Sequence, residues 1–173
     1  MTSTTPSPHT AVTTTEATAV GAALGRIPSG LFVVTWRDGD CDRGMLASWV
    51  MQAGFEPPML TVAVGHSRDL LAAVRAGRPF VVNVLAESQR SLLGRFGKPD
   101  DDPFSGLTID RTAAGIAALA DAAAWLECRP QPEAVGGGLS VGDHVVVVAT
   151  VTAAGSGGEK QPLVHLRKNG LRY

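Results

Sequence analysis

Apolar positions along this chain fall in short runs broken by Gly, Pro and Asp, and few of the runs keep a helical period. From Glu16 to Ile27 the chain turns to Ala, Val and Leu. Val20, Leu24 and Ile27 lie at helical spacing there, which predicts a short amphipathic helix stopped by Pro28. Leu31 to Trp36 is β-branched and aromatic and predicts a first strand. Asp38-Gly39-Asp40 is a turn signal, and Gly44 to Met51 predicts a second strand folding back on the first. Phe55-Glu56-Pro57-Pro58 is a break, after which Met59 to Val64 reads as a third strand. Ser67 to Ala76 carries Leu70, Leu71 and Val74 on one face and predicts a surface helix ended by Gly77. Pro79 to Leu85 predicts a fourth strand. Ser88 to Phe96 predicts a short helix capped by Ser88 or its predecessor.

The second half is less regular. Gly97 to Gly106, with its Pro, Gly and Asp residues, reads as a loop, and Thr112 to Asp121 has no clear period. Ala122 to Arg129 predicts a strand holding Trp125 and Cys128, and Gly136-Gly137-Gly138 a flexible connection. Val145 to Val148 is continuously apolar and runs on to Val151, which predicts a strand covered on both faces. Leu163 to Leu166 closes the series. The total is about seven strands and three short helices without regular strand–helix alternation. The expected fold is therefore mostly β: an antiparallel barrel with a few peripheral helices.

Composition narrows the function. At 173 residues the chain fits one domain, and 45% hydrophobic content predicts an ordered core. Residues 1–15 are Thr, Ser and Pro rich and predict a mobile tail, leaving 16–173 as the folded domain. The net charge is −1 with scattered basic residues, which argues against a nucleic-acid partner. Two cysteines, Cys41 and Cys128, form no metal-binding spacing and predict two reduced thiols. No basic-then-apolar leader is visible, and no apolar run nears the roughly 20 residues of a membrane helix. A soluble, cytoplasmic protein is expected.

Four segments carry candidate chemistry. In Gly44-Met45-Leu46-Ala47-Ser48-Trp49, small residues let a flat ligand approach the backbone and Ser48 adds a hydroxyl; the same pattern also suits a barrel strand with Trp49 in the core. In Gly65-His66-Ser67-Arg68, at the end of a strand and the expected start of a helix, Ser67 and Arg68 suit a phosphate, or an ordinary cap with a solvated Arg. Gly142-Asp143-His144 puts a histidine at a strand mouth, where it can serve a reacting group or only the local backbone. Phe96-Gly97-Lys98-Pro99 sets an aromatic beside a cation, which suits a planar anion or a hydrophobic anchor. Asp100-Asp101-Asp102 lacks the spacing of a calcium loop, and no metal site is expected.

Taken in order, several segments resemble the flavin reductase family with the FMN-binding split-barrel fold. They are Leu24 to Leu31 with Val33-Val34-Thr35, Gly44 to Val50, Phe55 to Pro58, Met59 to Val64, Phe80 to Leu85, Trp125 to Cys128, Gly142 to His144 and Pro162 to His165. The similarity runs from about Ala23 to Tyr173 and is nearest to the flavin reductase domain at the C-terminus of some flavodiiron proteins. The Gly-rich Glu133 to Val141 departs from the pattern. The resemblance implies a homodimer holding FMN, or FAD, and using NADH or NADPH. Met45, Leu46, Ala47, Ser48 and Trp49 would lie along the flavin, Val64 and Gly65 would lead to a phosphate held by Ser67 and Arg68, and Phe96 and His144 would border the pocket. His144 is the expected residue at the nicotinamide. A redox protein could accept the electrons. The alternative reading is an FMN-binding electron carrier with little NAD(P)H activity.

Overall fold

The computed structural model describes residues 14–98, 102–132 and 138–171. The expected tail falls mostly on residues 1–13, and the Gly-rich departure mostly on 133–137; both lie outside the described residues. The chain divides into two compact units, Ser29–His165 and a smaller one formed by residues up to Pro28 with those from Leu166. In the smaller unit, α1 (Thr14–Leu24) takes up the expected first helix. The C-terminal segment is tied to it by a Gly170 N–H donating to the Gly21 carbonyl at 2.7 Å.

The larger unit is built on an antiparallel sheet. Its strands are β2 (Phe32–Asp38), β3 (Cys41–Ala47), β4 (Val50–Phe55), β5 (Pro58–Gly65), β6 (Phe80–Val84), β9 (Ala124–Pro130), β10 (Leu139–Val141) and β11 (His144–Ser156). The remaining strands are β1 (Ser29–Gly30) with β12 (Val164–His165), and β7 (Ile109–Arg111) with β8 (Ala117–Leu119). The main path runs β3-β2-β6-β9-β11-β5-β4, with β10 paired to β11. Its two edges, β3 and β4, are consecutive in the chain and joined only by Ser48 and Trp49. Three residue steps reach at most about 11 Å. The edges of a flat sheet of this width would stand about 29 Å apart. The sheet must therefore curl until its edges meet, and β3 and β4 are not hydrogen-bonded partners: the barrel is split there.

The expected second strand is thus two strands. Gly44 to Ala47 pairs with β2, and from Val50 the chain pairs with β5. The break at Phe55 to Pro58 is the β4–β5 hairpin, with a cis Glu56–Pro57 peptide. The expected helix at Ser67 starts later, as α2 (Leu70–Arg75), and Ser67 caps nothing; Gly77 follows it with φ 67°, a left-handed conformation that suits glycine. The helix expected over Ser88 to Phe96 divides into a 3₁₀ turn at Glu87–Gln89 and α3 (Leu92–Phe96). Its first turn is closed by the Ala86 N–H donating to Gln89 Oε1 at 3.0 Å, and not by Ser88.

The inside of the curl is filled by Val34, Trp36, Leu60, Val62, Val64, Phe80, Val82, Val145 and Val147, with Leu70, Leu71 and Val74 of α2 packed among them. A fully buried Phe or Val side chain contributes about 1.5–3 kcal/mol. Within the single chain, β2 and β6 are covered on both faces, whereas β11, expected to be covered by core on one side and by a helix or a partner on the other, has core on one side and a half-exposed outer face. Val33 and Val34, like Val81 and Val82, are buried on opposite faces. Val33 is covered by Leu31, Leu85 and Leu119, and Val81 by Ile116 and Ala118. β11 alternates instead: Val145 and Val147 point inward, while Val146 and Val148 stay half-exposed.

Candidate functional site

A cleft of about 580 Å³ opens where three segments of the larger unit converge. The β2–β3 hairpin contributes Trp36, Arg43, Gly44 and Met45. The loop after β5 contributes Ser67, Arg68 and Asp69, and the segment after α3 adds Phe96, Lys98 and Pro103. Each segment delivers one cation, Arg43, Arg68 and Lys98, and among the described lining residues Asp69 is the one carboxylate. Among the described residues, none of those three cations forms an ion pair. Concentrated positive charge in a low-dielectric cleft attracts and holds an anion.

Five expected site or neighbouring residues meet in this cleft: Gly44, Met45, Ser67, Arg68 and Phe96. The reason for Gly44 differs from the expected one. A Cβ there would lie 2.7 Å from Phe96 Cε1 and 3.2 Å from Phe104 Cζ, so the small residue admits the protein's own ring. Phe96 is itself buried, with Phe104 edge-on at 5.4 Å. Leu46 faces away from the cleft toward the Phe96 and Leu92 cluster, while Ala47 and Val64 sit in the core. Any contact of Val64 with a ligand would have to come through its backbone. Ser48 is buried at the split between β3 and β4.

Trp49 and His144 form a second group. Their rings lie 4.8 Å apart at an interplanar angle of 49°. The His144 side chain is 12% exposed, and its Nδ1 lies 2.7 Å from Asp143 Oδ1. A carboxylate only accepts, so Nδ1 carries a hydrogen at that contact. The hydrogen bond and charge of His144 hold the Asp143 carboxyl below the usual carboxylate range. Gly65 links the two groups: it is paired with His144 across β5 and β11, and a Cβ on it would stand 3.9 Å from both His144 Nε2 and Arg68 Cγ.

His144 stands where a two-residue hairpin begins its second strand. Val141 pairs with His144, and the turn is Gly142, with φ 58°, and Asp143. The end of the Gly-rich departure is therefore the strand β10, and it builds the His144 corner. Arg43 was not among the expected site residues. The period of two that puts Met45 toward the cleft also puts Arg43 there, which is the signal that could have found it. Asp69 and Pro103 have no comparable signature.

The family model described as "Flavin reductase like domain" matches residues 24–170. Diflavin flavoprotein A 1 of Synechocystis sp. is 37% identical over 157 residues, which is 87% of this chain and 26% of that protein. The chain spans about a quarter of the length of the curated relatives it matches. Among solved structures, an NADH:FAD oxidoreductase of Streptomyces globisporus C-1027, in complex with NAD and FAD fragments, superposes with a TM-score of 0.75 at 25% identity, covering 87% of each chain. The styrene monooxygenase flavin reductase of Pseudomonas putida S12 gives 0.72 at 26% identity, covering 84% of this chain and 90% of its own.

Proposed function

The chain belongs to the flavin reductase like domain family, and on that premise we propose that it passes a hydride from NADH or NADPH to a bound FMN or FAD. The reduced flavin, or its electrons, then goes to an acceptor. One observation carries this reading: three cations that form no ion pair among the described residues meet in one cleft, beside the strand end where Gly65 pairs with a histidine held by a carboxylate. The cleft lies within the range of about 300–1,000 Å³ usual for cofactor sites. Its donor set fits a planar ligand with an anionic tail.

In this reading Arg68, with Ser67, holds the phosphate, and Arg43 and Lys98 add to the field around it. Met45 forms an apolar wall. The flavin, when bound, supplies the hydride-accepting chemistry, and the protein's part is placement. His144, its Nδ1 hydrogen fixed by Asp143 and one face against Trp49, borders and orients the nicotinamide.

We also propose a homodimer. Leu139, Val146 and Ala63 form one cross-strand row on the outer face of the sheet, and Val148, Thr61 and Met51 the next. This half-exposed apolar face suits a second copy of the chain.

Anaerobic mixing of the protein with FMN or FAD and NADH or NADPH tests the function. Rapid loss of the yellow flavin absorbance is expected. Flavin that binds tightly and stays yellow with both nicotinamides would establish the electron-carrier reading, which the diflavin relatives favour.

A further inference from the structure

His66 stands in the chain between Gly65, which pairs with His144, and Ser67 on the cleft, but has no part in the reading above. Its position is defined by three contacts with the opposite hairpin. Its backbone N–H donates to the Asp143 carbonyl at 3.2 Å. Its Nε2 lies 3.2 Å from the Gly142 carbonyl oxygen and 3.4 Å from Ser140 Oγ. A carbonyl only accepts, so Nε2 must carry the ring hydrogen at that contact. The ring thus closes over the β10–β11 turn from outside, while the backbone bond ties the same turn to the end of β5.

The two segments joined in this way are those that matter most. Ser67 and Arg68, on the cleft, are the next two residues after His66, and His144 directly follows Asp143. The turn itself is weakly held by packing: Gly142 has no side chain and Asp143 is 93% exposed at its side chain. A two-residue turn with no apolar side chain at its tip opens easily. A side-chain hydrogen bond onto its carbonyl is therefore worth more to its position than the same bond would be in the core.

We propose that His66 is a positioning residue: by donating to the Gly142 carbonyl it fixes the Gly142–Asp143 turn, and with it His144, against the loop that carries Ser67 and Arg68. The inference rests on the reductase reading for what the placement serves, since His144 orients the nicotinamide there. It adds a residue that touches neither ligand and sets how the two sites face each other. Loss of the clamp should then weaken use of NAD(P)H and leave flavin affinity alone, because Arg68 stays on its own loop. A side chain that can still donate an N–H at the same reach should restore it.

The test compares the full chain with His66→Ala and His66→Gln. Steady-state reduction of FMN should show a KM for NADH or NADPH raised about five- to tenfold in His66→Ala, in line with loss of one hydrogen bond near about 1.4 kcal/mol per tenfold. The flavin dissociation constant should stay within twofold, and His66→Gln should return most of the loss. Hydrogen exchange of the peptide spanning 139–147 should quicken in His66→Ala and not in His66→Gln. Unchanged exchange in His66→Ala would overturn the clamp, whatever the kinetics. Faster exchange with an unchanged KM would overturn its role in placing His144. A parent protein that reduces no flavin, with exchange still dependent on His66, would instead sink the reductase reading and the kinetic half of this proposal, leaving the clamp standing.

Discussion

Asn83 and Arg68 are both polar groups set in the wall of an apolar barrel, and their surroundings could hardly differ more. Asn83 is fully buried and answers every demand around it. Its Nδ2 donates to the Val33 carbonyl at 2.9 Å and to Thr35 Oγ1 at 3.3 Å, and its Oδ1 accepts from the Leu119 N–H at 2.8 Å. Thr35 in turn donates to the Ala117 carbonyl. The network stitches β8 to the outside of β2 and β6, where no strand pairing is available. Around Arg68, by contrast, three cations converge and do not find carboxylates among the described residues. Polar groups that satisfy one another hold a fold together; polar groups of one sign brought together without partners wait for something from outside.

Breaking the closed network should have the largest effect. Asn83→Leu leaves the Leu119 N–H and Val33 carbonyl short of a partner in a buried site. It should cost about 2–4 kcal/mol of unfolding free energy in urea titration, with flavin affinity per folded molecule little changed. A loss near zero would mean the network is not what anchors β8. Arg68→Ala should reverse the pattern. Flavin binding, followed by fluorescence quenching, should weaken about 10- to 100-fold, while stability moves by less than about 0.5 kcal/mol. If affinity held, the phosphate would lie elsewhere.

His144→Ala should lower kcat/KM for NAD(P)H by about tenfold or more and leave flavin affinity near the parent's. The smallest effect belongs to the rim. Asp42 makes a bidentate pair with Arg111, both bonds at 2.6 Å, and lies 3.6 Å from Arg37. Asp42→Asn should cost no more than about 1 kcal/mol, and less in high salt.

The thiols extend the same contrast between closed and open to pH. Burial pushes the Cys128 thiol up to about 12, whereas Cys41 is exposed. Alkylation of the native protein at mild alkaline pH should therefore label Cys41 alone. A raised thiol value favours the fold below the ordinary value of 9.0, and that contribution is lost as pH rises toward 12. A Cys128→Ser variant should show a shallower loss of stability over that window.

The amino-acid pattern exposes the two regions unequally. Strands whose side chains alternate, such as β5, or that are wholly apolar, such as β6, are plain from composition. The β7–β8 hairpin is not. All three residues of β8 are buried and two are alanine, so neither alternation nor β-branching marks it, and its partners on one side are the side chains of Asn83 and Thr35. The division of Gly44 to Met51 into two strands is hidden for another reason: both halves are extended, and only the distant pairing of each half separates them. In the cleft, Arg68 stands out because a glycine, a serine and a cation follow a strand closely. Arg43 is marked only by its two-residue offset from Met45. The packing of the Trp49 ring on His144 is hidden by the 94 positions that lie between them in the chain.

That division of one extended stretch between the two edges of the sheet has a kinetic consequence. On the path β3-β2-β6-β9-β11-β5-β4, only β2–β3 and β4–β5 are local hairpins, and the pairings between them join segments far apart in the chain. Each hairpin can form in microseconds, yet neither can take its place until the middle of the sheet has been assembled from distant segments. Refolding should therefore run on the millisecond-to-second scale of topologies rich in long-range contacts. Ser48 and Trp49, two residues from being a simple turn, become the last join of the wall.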